Sequence, residues 1–94
     1  MRVRRHLWVS GRVQNVWFRD GCASQARAAG VGGWVQNLAD GRVEAVLEGD
    51  PDAVARVAAW CHDGPTRARV TSVEVRDEVP LDEPTSGRTE FRVR

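Results

Sequence analysis

The stretch Gly11-Arg12-Val13-Gln14-Asn15-Val16-Trp17-Phe18-Arg19 separates a strand-like run from a helix-like one. Upstream, Arg4 to Ser10 alternates polar and apolar residues; downstream, Asp20 to Ala29 is rich in Ala and free of Pro, as a helix would be. The stretch is therefore a loop joining strand to helix. A tight turn there aims successive backbone N–H groups at one point, and the following helix adds its positive end, so a phosphate is the natural guest. Arg19 stands where the helix should begin, and its planar fork of donors can grip two phosphate oxygens at once. The spacing is neither the Walker pattern nor the dinucleotide glycine fingerprint.

Working outward, Val3, Arg5, Leu7 and Val9 share one face of the first strand, with Arg4, His6, Trp8 and Ser10 on the other. After the loop, Cys22, Ala23, Ala26 and Ala29 or Gly30 recur at helical spacing, a slim stripe that lets a helix sit close to a sheet. Gly30-Val31-Gly32-Gly33 ends that helix. Trp34 to Leu38 and Arg42 to Glu48 read as two antiparallel strands around Ala39-Asp40-Gly41, whose Asp-Gly step signals a hairpin. Val43, Ala45 and Leu47 are expected on the core face, and Arg42, Glu44 and Glu48 in water. Asp50 is a candidate N-cap with Pro51 at the first helical position; Val54, Val57, Ala58 and Cys61 form the apolar stripe, and Gly64-Pro65 closes the helix. Arg69 to Asp77 and Thr89 to Arg94 alternate as short strands, and Glu78 to Gly87, with Pro80 and Pro84, is expected to be an exposed, mobile loop.

The order strand, helix, strand, strand, helix, strand, with a short extra C-terminal strand, predicts an α+β ferredoxin-like βαββαβ sandwich. Two helices should cover one face of an antiparallel sheet and leave the other partly open. The chain of 94 residues suits one domain spanning 1–94. Its 41% hydrophobic and 29% charged residues argue against disorder and against a membrane protein, and its N-terminus reads without the apolar segment of a signal peptide. A cytoplasmic protein is the default expectation.

A net charge of +1 offers no field for a polyanion, although all 14 basic residues are Arg. Neither nucleic acid nor membrane is implied as a partner, and nothing in the chain demands a partner subunit, so a monomer is expected. Cys22 and Cys61 form no Cys-x-x-Cys pair and read as reduced core residues; His6 and His62 lie apart from each other and from Cys at ligand spacing, so no metal is expected. Of Trp8, Trp17, Trp34 and Trp60, most are read as core or rim packing rather than as a base-stacking platform.

Gly11 to Arg19, followed by Gly33-Trp34-Val35-Gln36-Asn37, resembles the acylphosphatase family, whose signature runs Gly-x-Val-Gln-Gly-Val-x-Phe-Arg and later Gly-Trp-Val-x-Asn. Gly41-x-Val43-Glu44, Gly64-Pro65 and the closing strand with Phe91 also fall where that family has them. The resemblance implies hydrolysis of acyl phosphates, a small-molecule substrate and no cofactor. It puts the catalytic roles on Arg19, which binds phosphate with the loop amides, and on Asn37, which positions the attacking water. Gln14, Asn15, Val16, Trp17 and Phe18 become the substrate-binding segment, with Gln14 also read as a loop-stabilising amide and Val13, Val16 and Phe18 as packing residues. Neither motif holds a general acid, which suits a carboxylate leaving group, already a weak base.

One residue departs from the family pattern, Asn15 where Gly is usual. If the backbone there needs positive φ, Asn adopts it at modest cost. If instead the backbone must approach phosphate too closely for a side chain, the alternative is a catalytically weak phosphate-binding module.

Overall fold

The computed structural model describes residues 1–80 and 90–94. In chain order the elements are β1 (Val3–Arg12), α1 (Phe18–Ala29), β2 (Gly32–Asn37), β3 (Val43–Gly49), α2 (Pro51–Asp63), β4 (Arg69–Glu78) and β5 (Phe91–Val93). They form one five-stranded sheet in the order β4-β1-β3-β2-β5. Both helices lie on one face, as the α+β sandwich requires. Among the described residues no helix is long and apolar enough to cross a membrane. The expected loop from Glu78 to Gly87 falls largely on residues 81–89, outside the described residues; Glu78 itself ends β4.

Local chemistry sets the ends of each element. Asp50 caps α2, its carboxylate accepting from the Asp52 and Ala53 N–H groups, with Pro51 in the first turn where no N–H is missed. Gly30 ends α1 in the left-handed region. The β2–β3 turn is stitched by Asp40, which accepts from the backbone N–H and the guanidinium of Arg42. At the Ser10/Gly11 bulge, β4 takes one extra residue, so Val70 and Val73 both turn to the core although three positions separate them.

Leu7, Val9, Val35, Val43, Ala45 and Leu47 present the sheet's apolar face, and Cys22, Ala23, Ala26, Val54, Val57 and Cys61 come down from the helices. The small stripe of α1 allows close approach to α2: a Cβ on Gly21 would come within 2.7 Å of the Trp60 ring. Trp60 also packs against Phe18, ring centres 5.3 Å apart. Cys22 and Cys61 are free and buried with sulfurs 3.9 Å apart; the hydrogen bond between them, together with burial, pushes the Cys61 thiol well up.

Three expectations change. The sheet is mixed, because β5 pairs parallel to β2. β4 runs antiparallel to β1 and so ends where β1 and β2 begin, and a strand laid from that end follows the direction of β2. The second face is also less open than expected. His6 stacks on Trp8 at 4.0 Å and places its ring nitrogens 2.6 Å from Glu44 and 2.8 Å from Glu78. Arg4 joins Glu78 to Glu48, and Arg2 adds a second ion pair to Glu48. Glu48 is therefore only 6% exposed rather than in water. Alternation reports its face but not the arginines that cover it.

Candidate active site

Where β1 ends, the chain turns through Gln14 to Trp17 before α1 begins. Asn15 has φ of 63° and Trp17 has φ of 68°, so two residues flanking Val16 lie in the left-handed region. Such alternation turns consecutive backbone N–H groups to one side and builds an anion-binding concavity. α1 starts at this point with no side chain capping its N-terminus, which leaves the positive end of its dipole facing the concavity. Strain at two non-glycine residues, one of them bulky, is concentrated at this turn.

The topology brings three segments to this end of the sheet: the β1–α1 loop, the end of β2, and the α2–β4 connection. They line an open cavity of about 430 Å³. From the loop and helix start come Val13, Asn15, Trp17, Phe18 and Arg19, and from the end of β2 comes Asn37. Asp20 and Arg67 complete it. Phe18 and Val13 are buried and form the floor, whereas Trp17, 72% exposed, stands on the rim. Trp17 is thus the tryptophan that does not serve as packing.

Second contacts hold the polar groups in place. Arg19 Nη1 donates to the Arg94 backbone oxygen at 2.7 Å, which anchors one end of the guanidinium fork beside β5. Gln14 Nε2 donates to the backbone oxygens of Leu38 at 2.8 Å and Arg42 at 3.0 Å. Its side chain thereby fastens the loop to the β2–β3 turn, immediately after Asn37. Of the residues expected from sequence, Arg19, Asn37, Asn15, Trp17 and Phe18 meet on one cavity; the side chains of Gln14 and Val16 do not line it. Val16 is buried, holding the middle of the loop against the core.

The acylphosphatase family profile matches residues 5–93. The acylphosphatase of Roseiflexus sp. (strain RS-1) is 54% identical over 81 residues, 86% of this chain and 87% of that one. The chain belongs to the acylphosphatase family. The solved acylphosphatase from Coxiella burnetii superposes with a TM-score of 0.88 at 35% identity, covering 99% of this chain and 93% of its own. That from Bacillus subtilis gives 0.87 at 30% identity over 98% of both chains. Membership makes the chain an acylphosphatase-type enzyme, acting in general on acyl phosphates.

Sequence reading of this acylphosphatase missed Arg67. It lies outside both motifs, just past the Gly64-Pro65 helix terminator, in a turn closed by the Ala68 N–H donating to the Pro65 oxygen at 2.9 Å. Element order held the signal: in a βαββαβ fold the first β–α loop and the second α–β connection fall at the same end of the sheet.

Proposed function

We propose that this enzyme holds the phosphoryl group of an acyl phosphate in the loop of residues 14–18 and on Arg19, and directs a water at phosphorus with Asn37. The observation that carries the reading is the meeting of Arg19, Asn37 and a loop with two left-handed residues on one cavity. The loop amides and the guanidinium offer donors to the equatorial oxygens, whose charge must be held as the transferring group passes through its transition state. Arg19 needs only part of its fork for Arg94, which leaves donors for the ligand.

The water oxygen forms a bond to phosphorus as the bond from phosphorus to the acyl oxygen breaks, and that electron pair leaves on the carboxylate. The proton of the water passes to a phosphoryl oxygen of the substrate. No group on the protein has to protonate the leaving oxygen, because a carboxylate is a stable anion at neutral pH. Asn37 suits the water: its carbonyl accepts a hydrogen bond while its amide donates, and it brings no negative charge toward an incoming dianion. This scheme calls for neither metal nor cofactor.

Asn15 sits at φ of 63°, a conformation that Asn reaches more easily than most non-glycine residues. That favours turnover over the reading of a weakened binding module. Hydrolysis of benzoyl phosphate in ¹⁸O-water tests the reaction. Label in the released phosphate and none in benzoate is the expected result; label in benzoate would mean attack at the carbonyl and sink the scheme.

A further inference from the structure

Arg67 brings to the cavity wall a second arginine that the phosphate scheme does not use. It comes from the α2–β4 connection, a different segment from the one that supplies the loop amides and Arg19. Among the described residues its side chain has no hydrogen bond and no ion pair, whereas Arg19 is already anchored on Arg94. The cavity, about 430 Å³, is far larger than one phosphate requires and falls within the range that holds a whole small metabolite. The acyl group of a substrate whose phosphate sits in the loop can therefore extend along the same open cleft.

The charges on the wall decide which acyl group fits. Two arginines, Arg19 and Arg67, and one acidic residue, Asp20 in the first turn of α1, line the cavity. Asp20 follows Arg19 in the chain, on the segment that supplies the loop amides. Arg67 is then the cation left for the far part of the ligand, and a planar guanidinium matches a carboxylate with two parallel hydrogen bonds.

Resting on the proposed function above, we propose that Arg67 is a specificity residue that selects acyl phosphates whose acyl group carries a second negative charge, such as the half-phosphorylated form of a dicarboxylic acid. It acts on binding of the acyl end and takes no part in bond breaking.

Succinyl phosphate and butyryl phosphate test this, because they share a four-carbon acyl chain and differ in the terminal carboxylate. The native enzyme is expected to favour succinyl phosphate in kcat/KM by up to about fivefold, the upper end for one exposed ion pair. Arg67→Gln should bring the ratio near one, mainly through KM, and Arg67→Lys should restore part of it. The preference should also shrink as salt is raised. A native ratio near one, or a ratio that Arg67→Gln leaves in place, overturns the proposal. So does an equal loss on both substrates accompanied by weaker inhibition by inorganic phosphate, which would make Arg67 a phosphate ligand. If the native enzyme turns over neither compound, the underlying reading of the site fails instead.

Discussion

Gln14 Nε2 donates to the Leu38 backbone oxygen at 2.8 Å, so one side-chain amide ties the anion loop to the residue that follows Asn37. Two parts of the site that are distant in sequence are thereby set in one geometry. Gln14→Ala should lower kcat/KM for benzoyl phosphate by about tenfold to a hundredfold, the range that a misplacement of about an ångström produces. Gln14→Glu should do no better, since its carboxylate would face two carbonyl oxygens with nothing to donate. Steady-state kinetics on both variants, with circular dichroism to confirm folding, make the check; activity within twofold of native in Gln14→Ala would show that the tie is not needed.

Asn15 stands at positive φ on the cavity wall, so the two roles of its position can be separated. Asn15→Gly relieves the backbone cost and should keep or tighten binding of inorganic phosphate, read as its inhibition constant. A large loss would mean that the Asn side chain is itself a ligand. Asn15→Val should lose at least about tenfold in kcat/KM, because a β-branched residue at positive φ is strained and would distort the loop.

Glycine is required at two turns for different reasons. Gly30 has φ of 71° with open space around its Cβ position, so Gly30→Ala should cost only the left-handed penalty, about 1–2 kcal/mol. Gly33 has φ of 129° and its Cβ would overlap the Val46 backbone oxygen across the β2–β3 ladder. Gly33→Ala should therefore cost about 3 kcal/mol or more, as the strand pair must separate to make room. Urea unfolding distinguishes them, and equal losses would contradict the steric account.

Much of this was legible in the sequence because it is local. The Asp40-Gly41 turn, the Asp50 cap, the Pro51 start and the Gly64 stop each act within a few residues, and each is where its chemistry puts it. The two motifs likewise placed Arg19 and Asn37 on one cavity. What was not legible depends on distant partners. Glu48 was expected in water because alternation reports a face and not its neighbours, and its arginines lie 44 and 46 positions away. The direction of β5 depends on which end of the sheet the preceding strand leaves from. Arg67 carries no local signature, being one of many arginines beside a common helix terminator.

The His6 cluster makes stability depend on acid. A hydrogen bond from His6 and then one from Arg4 hold the Glu78 carboxyl below its ordinary value of 4.5. For Glu44, burial pushes upward, but hydrogen bonds with Gln36 and His6 outweigh it and the net direction is also down. A carboxylate with a lower pKa in the folded than in the unfolded state stabilises fully above the unfolded value, and that stability is lost as pH falls through the folded value. The contribution of these two carboxylates to the urea midpoint should thus be lost as pH falls below about 4.5. The double variant Glu44→Gln/Glu78→Gln should be less stable at pH 7 and fall less steeply in acid. Parallel acid profiles for native and variant would remove this cluster from the explanation.

The division of labour between Arg19 and Asn37 is tested most directly by measuring, for each alanine variant, kcat on benzoyl phosphate beside the inhibition constant for inorganic phosphate. Asn37→Ala should lose at least about a hundredfold in kcat while inorganic phosphate still inhibits within about threefold of native, since the water and not the phosphate has lost its partner. Arg19→Ala should lose both turnover and inhibition by phosphate. Near-native kcat in Asn37→Ala, or undiminished phosphate inhibition in Arg19→Ala, would contradict the account.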